Sequence, residues 1–316
     1  MIPYQQLKAM HRIDLAKAIP LAAPLALFLE PTNVCNFKCP ICPESLKDYR
    51  GLAGYYEAMP ARIWNKVYGD LWARLRVLRF YDLGEPMLNR ELFIMTSEAR
   101  HLGLADRLEL TTNGSLLTKA NCEALCTSGL DYVRVSIYGT TDEEYWAATG
   151  SRCATNQVQK GMARLMEIRS SRSRPYIYAH LVMANPTEWQ REEFRRTFEG
   201  LADELGIEPA LHNWGGNDDR LVRIGAQPSP GKRICAKPFY ELTVHANGDV
   251  SACCADWRGQ LHLGNVERES LLDIWHGQRL RAIQQAHLAG AREGLAPCNG
   301  CTLIHNQVDD LDGLLK

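Results

Sequence analysis

Cys35, Cys39 and Cys42 fall in the run Pro31-Thr-Asn-Val-Cys-Asn-Phe-Lys-Cys-Pro-Ile-Cys-Pro43, a C-x3-C-x2-C spacing. One short loop with that spacing brings three thiolates around one face of a small iron–sulfur cluster and supplies no fourth. Four-iron clusters ordinarily take four cysteines, so a three-cysteine cradle leaves one iron free for a ligand that is not protein. The competing chemistry is a structural zinc site, which favours C-x2-C pairs and wants a fourth ligand. A chance triplet is the other alternative, since the chain holds eleven cysteines.

The spacing resembles the signature of the radical S-adenosylmethionine (radical SAM) superfamily. That resemblance implies a 4Fe-4S cluster whose free iron chelates the amino and carboxylate groups of SAM. It also implies one-electron reduction of SAM and a 5′-deoxyadenosyl radical that takes a hydrogen atom from substrate. Members usually place an aromatic residue before the last cysteine, against the SAM adenine; here Ile41 stands there and offers apolar contact without stacking. Asp82-Leu-Gly-Glu-Pro86 resembles the family's Gly-Gly-Glu motif with Leu83 in place of the first glycine, which implies that Gly84 and Glu85 hold the SAM ammonium. The plain alternative is a strand-to-helix turn with Glu85 as an N-terminal helix charge. Thr112 and Asn113 in Thr111-Thr-Asn-Gly-Ser115, and Ser136 with Tyr138-Gly139, match positions that line the SAM ribose and carboxylate. They are small hydrogen-bonding groups at successive strand ends, as a hydroxyl-rich cofactor requires.

A second cysteine set lies near the C-terminus: Cys235, Cys253, Cys254, Cys298 and Cys301. Cys235-x12-Gly248-x4-Cys253 followed by Cys298-x2-Cys301 gives four thiolates, enough to saturate one cluster. This resembles the twitch domain, the shortened form of the SPASM domain, and implies one auxiliary 4Fe-4S cluster. A four-cysteine zinc site fits the same spacing. Cys254 exceeds the four. Neighbouring side chains on an extended strand point to opposite faces, so Cys253 and Cys254 should not both face one cluster. The Gly248-x4 rule favours Cys253 as ligand. Cys254 is then either a buried small hydrophobe or a thiol aimed into the barrel mouth, able to give a hydrogen atom to a substrate radical. Cys122, Cys126 and Cys153 read as structural.

The elements that must position these groups alternate along the chain. Candidate strands are 25–30, 76–81, 107–111, 132–137, 176–183 and 208–212, with helical patterns at 61–71, 90–101, 119–127, 157–169 and 189–205. Strands alternating with helices imply a parallel sheet with right-handed crossovers, here a partial (β/α)6 TIM barrel. The cluster loop follows the first strand, at the C-terminal mouth where loop-borne sites belong. Residues 215–231 carry four glycines and two prolines, a linker composition. A hairpin is expected next, 239–245 and 250–254 about Ala246-Asn-Gly-Asp249, and then a helix over 270–289. The expected organisation is an N-terminal extension (1–24), the radical SAM barrel (25–214), a linker (215–234) and a small α+β iron–sulfur domain of the twitch/SPASM-like kind (235–316).

The formal net charge of −1 gives no basic excess to recommend a nucleic-acid partner. The most apolar run, Ile19 to Leu29, is too short to span a bilayer and is broken by Pro20 and Pro24. An odd number of cysteines clustered at metal spacings points to a reducing cytoplasm rather than to disulfides.

Two outcomes on hydroxylated small molecules compete among twitch enzymes. In aminocyclitol dehydrogenases, such as those acting on 2-deoxy-scyllo-inosamine, the substrate radical passes an electron to the auxiliary cluster. In aminoglycoside epimerases, such as those acting on neomycin C, a cysteine returns a hydrogen atom to the opposite face. The spare Cys254 favours epimerisation of a cationic, polyhydroxylated sugar, with flavodoxin or ferredoxin as electron donor. Ribosomally made peptides are a further substrate class; the enzymes that modify them commonly carry a leader-binding domain, and only 34 residues precede Cys35, too few for a winged-helix fold. Polar residues expected at the mouth, as substrate contacts or as loop braces, are Glu30, Asp82, His180, His212, Asn213, Trp214 and Asp256.

Overall fold

A computed structural model describes residues 13–170, 172–183, 185–209 and 231–315. Six parallel strands follow the expected order: β1 (Ala26–Leu29), β2 (Leu75–Arg79), β3 (Ala105–Thr112), β4 (Tyr132–Ile137), β5 (Tyr176–Met183) and β6 (Glu204–Pro209). Between them run α-helices. A short α1 (Leu15–Ala18) precedes β1; α2 (Tyr49–Ala53) and α3 (Ala61–Asp70) precede β2, α4 (Leu92–His101) precedes β3 and α5 (Lys119–Thr127) precedes β4. α6 (Asp142–Thr149) and α7 (Thr155–Arg169) lead to β5, and α8 (Glu188–Phe198) to β6. The fold is the α/β partial barrel expected.

β6 starts four residues before the expected strand, and the chain beyond 209 up to 230 lies outside the described residues. α8 stops at Phe198, just before Gly200, whose φ of +75° a helix cannot continue. α6 escapes a periodicity reading because it buries only Tyr145 and Thr149 and leaves Trp146 exposed. Its start is nonetheless specified: the Thr141 side chain caps it, and three acidic residues occupy its first turn.

The C-terminal hairpin does not form a sheet of its own. β7 (Glu241–Val244) pairs in parallel with β1, from Ala26 opposite Glu241 to Leu29 opposite Val244. β8 (Asp249–Ser251) and β9 (His262–Asn265) then add antiparallel, giving one sheet in the order β6-β5-β4-β3-β2-β1-β7-β8-β9. The single helix expected over 270–289 is two, α9 (Leu271–Trp275) and α10 (Gln278–Leu288), separated at Gly277. A Cβ on Gly277 would sit 3.0 Å from the Asp273 carbonyl oxygen, so the break uses the missing side chain.

Strands of parallel sheets covered on both faces usually read as continuous apolar runs. Here they alternate. Leu78, Leu108, Leu110, Val133, Val135, Ile177, Leu181, Leu242 and Val244 belong to the apolar core. The opposite phase carries Arg79, Glu109, Arg134, Ser136, Tyr178, His180 and Glu241. These polar groups engage one another: Arg79 Nε lies 3.3 Å from Glu109, Arg79 Nη1 3.9 Å from Glu241, and Ser136 Oγ 3.2 Å from His180 Nε2. The inner face of the barrel is therefore charged and hydrogen-bonding. Among the described residues no helix is long and apolar enough to cross a membrane.

Candidate active site

The three-cysteine loop leaves β1 and is fixed by its own polar contacts. The Cys35 amide donates to Glu44 Oε1 at 2.9 Å, the Cys42 amide to the Cys39 carbonyl at 2.8 Å, and Lys38 pairs with Glu44. The Lys38 amide also donates to the Thr149 carbonyl at 2.7 Å, which docks the loop on the end of α6. Burial pushes the Cys35 and Cys39 thiols up to about 12 and Cys42 well above its ordinary value. Cys39 is buried and Cys35 and Cys42 are half-buried, none with a disulfide partner, which suits iron, whose binding displaces their protons. Ile41 is half-buried against the core.

The Asp82–Pro86 loop is pressed onto the cluster loop. Gly84 has φ +73°, and a Cβ there would stand 2.3 Å from the Thr32 carbonyl oxygen and 2.8 Å from that of Val34. The Glu85 amide donates to the Val34 carbonyl at 2.9 Å. Glu85's carboxylate turns the other way. It accepts from Thr112 Oγ1 at 2.8 Å, from the Asn113 amide at 2.7 Å and from the Met87 amide at 3.3 Å. Burial lifts it to about 7 against these hydrogen bonds. Its side chain thus ties the end of β2 to the end of β3. Asn113 in turn donates to Asn36 Oδ1 at 2.9 Å and reaches 4.0 Å from Cys35 Sγ. Tyr138 packs edge-on against Phe37 of the cluster loop, with ring centroids 5.9 Å apart. The expected SAM-side residues Gly84, Glu85, Thr112, Asn113 and Tyr138 therefore converge on the three-cysteine loop from successive strand ends, while Ser136 faces inward onto His180.

Cys235, Cys253, Cys298 and Cys301 line one cavity, partly open to solvent, with Lys237 and His287 also in its wall. Cys254 is not in that wall. Cys253 Sγ accepts from the Ala255 amide at 3.4 Å, and two other sulfurs face side-chain N–H donors. Gln307 accepts from the Ala236 amide at 2.7 Å through Oε1, which orients its Nε2 onto Cys235 Sγ at 2.9 Å. His287 Nδ1 accepts from the Cys235 amide at 3.3 Å, so its proton sits on Nε2, 3.7 Å from Cys298 Sγ. Burial raises Cys298 to about 12 and Cys301 to about 11. Four sulfurs around one cavity, with N–H groups donating to them from behind, fit an iron–sulfur cluster.

Cys254 lies past the end of β8 at Ser251, in a turn where the alternation of strand neighbours does not hold, and its thiol is hydrogen-bonded to that of Cys253. Its sulfur lies 3.5 Å from Lys237 Nζ, which also donates to Glu241 Oε1 at 2.6 Å and sits over the Phe28 ring. Burial, then the Cys254 sulfur and the Glu30 carboxylate, push the Asp82 carboxyl well above the usual carboxylate range, so Cys254 faces the strand ends of the barrel.

Glu30 and Asp82 lie buried together at those strand ends. His180 hydrogen-bonds Ser136 and stacks on Tyr178. Asp256 accepts from the amides of Gln260 and Leu261 and from Ser251, which braces its own loop. His212, Asn213 and Trp214 lie outside the described residues. Motif reading passed over Lys237, Glu241, His245, His287 and Gln307. For Glu241 the available signal was a charge in the inward phase of a strand; for His287 and Gln307, remote in sequence from the cysteines they touch, there was none.

Residues 29–198 match the model of the radical SAM superfamily, and residues 235–302 match that of an iron–sulfur cluster-binding domain, SPASM. A PqqA peptide cyclase of Ruegeria pomeroyi is 30% identical over 233 residues, covering 70% of this chain and 57% of that protein. The chain thus matches little more than half the length of this curated relative. Among solved structures, BtrN in complex with AdoMet and 2-DOIA superposes with a TM-score of 0.57 at 17% identity, covering 91% of this chain and 94% of that one. SuiB of Streptococcus suis, bound to S-adenosylmethionine, gives 0.67 at 15% identity, covering 85% and 70%. At these identities the superpositions speak for the fold. The chain is an enzyme of the radical SAM superfamily, with S-adenosylmethionine and iron–sulfur clusters as its cofactors.

Proposed function

We propose that this enzyme inverts a carbinol carbon of a cationic, polyhydroxylated sugar of the aminoglycoside or aminocyclitol type, with Cys254 as hydrogen-atom donor. The observation that carries this reading is the position of Cys254, a fifth thiol in contact with Cys253 but not in the wall of the four-cysteine cavity, and 3.5 Å from Lys237 Nζ. S-adenosylmethionine held beside a reduced cluster supplies the means of removing a hydrogen atom from an unactivated carbon. Cys35, Cys39 and Cys42 hold that cluster, and the loops carrying Gly84, Glu85, Thr112, Asn113 and Tyr138 form the SAM side. Cys235, Cys253, Cys298 and Cys301 hold the auxiliary cluster. The Cys254 S–H then gives its hydrogen atom to the opposite face of the substrate carbon. Each turnover leaves that sulfur one hydrogen atom short; an electron from flavodoxin or ferredoxin and a proton from the Lys237 ammonium restore it. The charged inner face, Arg79, Glu109 and Glu241 among it, supports a polar substrate.

Two observations favour other outcomes. The directed N–H donors on Cys235 and Cys298 suit an auxiliary cluster that accepts electrons, which supports oxidation of an alcohol to a ketone; BtrN, bound to 2-DOIA, shares the fold. The relative named as a PqqA peptide cyclase supports a peptide substrate. The test is anaerobic incubation of cluster-loaded protein with SAM and reductant against a panel of aminoglycosides, aminocyclitols and precursor peptides, reading 5′-deoxyadenosine and product mass. Release stimulated by an amino sugar, with an isomeric product, is expected. Stimulation by peptides alone, or a product two hydrogens lighter, would replace the epimerase reading.

A further inference from the structure

The strands β2, β1 and β7 are neighbours in the sheet, and their C-terminal ends bring Asp82, Glu30 and His245 together. One ligand-type atom from each lies within 4.8 Å of the other two. His245 Nδ1 is 3.5 Å from Glu30 Oε2 and 3.9 Å from Asp82 Oδ2, and the three side chains are at most 4% exposed. Two carboxyl groups and an imidazole are thus shut away from water; the Lys237 charge acts on Asp82, but its ion pair is with Glu241.

The hydrogen bonds around the group leave inward-facing acceptors. Glu30 Oε1 receives the Tyr55 hydroxyl at 2.7 Å and the Ala246 amide at 3.2 Å, which leaves Oε2 directed at His245. Asp82 Oδ2 is buried and has no hydrogen-bond partner, an arrangement native proteins seldom tolerate without a ligand. The histidine tautomer follows from its other nitrogen. Nε2 is 2.9 Å from Ser251 Oγ, and that hydroxyl gives its own proton to Asp256 Oδ2. Ser251 therefore accepts and Nε2 carries a proton, so in the neutral ring it is the Nδ1 lone pair that faces the two carboxyl groups. Tyr55 has one proton and stands nearer Glu30 than Nδ1, which is 3.1 Å away. A divalent cation between the three would take up the lone pairs turned on that point and displace any proton that burial keeps on Asp82. A proton on Nδ1 would satisfy Glu30 and leave Asp82 at 3.9 Å without a hydrogen bond. The Asp256–Ser251–His245 chain is moreover the outer-shell support that metal-ligating histidines ordinarily have.

We propose that Glu30, Asp82 and His245 form a mononuclear site for a divalent cation of the Mn2+ or Fe2+ kind, distinct from both cysteine sets. Carboxylates suit Mn2+ and imidazole suits Fe2+, and no thiolate enters the set. Three protein ligands leave coordination positions for water or for neighbouring hydroxyls of a substrate. The site stands whether or not the epimerase reading does, because its test involves no turnover.

Cluster-loaded protein is titrated anaerobically with MnCl2, and free Mn2+ is followed by its electron paramagnetic resonance signal. One Mn2+ per chain is expected to leave the free signal. Asp82→Asn and His245→Gln should each weaken that binding at least tenfold with unchanged iron and sulfide content. Failure of the wild-type protein to take up Mn2+ at millimolar concentration would overturn the site. So would uptake that persists unchanged in both variants, which would mean adventitious surface ions. The wild-type titration decides even if one variant fails to fold.

Discussion

Gly84→Ala isolates the contact between the two loops on the SAM side. Any non-glycine residue at φ +73° costs about 1–2 kcal/mol. The added methyl would also sit 2.3 Å from the Thr32 oxygen and 2.8 Å from the Val34 oxygen, both backbone atoms that no side-chain rotation can move. Relieving such an overlap by shifting backbone adds about 1–3 kcal/mol, and the shift pulls on the Glu85 amide bonded to Val34. Gly54 is the matched control: its φ is +80° and nothing lies within 4 Å of an added Cβ. Gly54→Ala should therefore show the conformational cost alone. The excess in Gly84→Ala, at 1.4 kcal/mol per factor of ten, corresponds to roughly 5- to 150-fold weaker SAM binding if the loops part. Equilibrium dialysis of SAM against the two cluster-loaded variants measures the difference, with urea unfolding run alongside to find any part that appears as lost stability. Equal behaviour of the two variants in both assays would refute the reasoning.

Other expectations follow from single contacts. Glu85→Gln turns an amide N–H2 toward a Thr112 hydroxyl or an Asn113 amide that already donates, and should cost about 1–3 kcal/mol in urea unfolding. Cys253→Ala should lose the auxiliary cluster's share of bound iron, whereas Cys254→Ala should keep the wild-type iron content. Burial and the Arg292 charge hold His287 neutral down to about 4, against an ordinary value of 6.5. Between these values the unfolded chain takes up a proton that the folded one refuses. Stability from this group is thus complete above about pH 6.5 and falls as the pH drops toward 4, by on the order of 3 kcal/mol. Urea unfolding of His287→Gln across that window should lack this component.

How much was legible from sequence depended on whether the signal was local. β4 and β5, α5 and the Asn-Gly hairpin announce themselves because propensity, periodicity and turn residues agree over a few positions. The pairing of β7 with β1 does not, since nothing in Glu241–Val244 says which edge it will join. α6 hides because a helix lying over the loops beyond the sheet needs only two buried side chains. At the site, the cysteines declare themselves by spacing, but the rule that strand neighbours face opposite ways fails for Cys253 and Cys254, because β8 ends at Ser251 and the two thiols stay in contact. The Glu85 carboxylate's bridging of two strand ends was invisible, because its partners Thr112 and Asn113 are almost thirty residues away. His245 looked like an ordinary residue before a turn until three strand ends brought it beside Glu30 and Asp82.

The most direct test of the account is the isotopic composition of product formed in deuterated water by wild-type enzyme and by Cys254→Ala, on whichever substrate first stimulates SAM cleavage. The account expects one carbon-bound deuterium in the wild-type product, delivered from an exchanged Cys254 thiol. It expects continued formation of 5′-deoxyadenosine without that product in the variant. A deuterated product from Cys254→Ala, or an unlabelled product from the wild type, would contradict it.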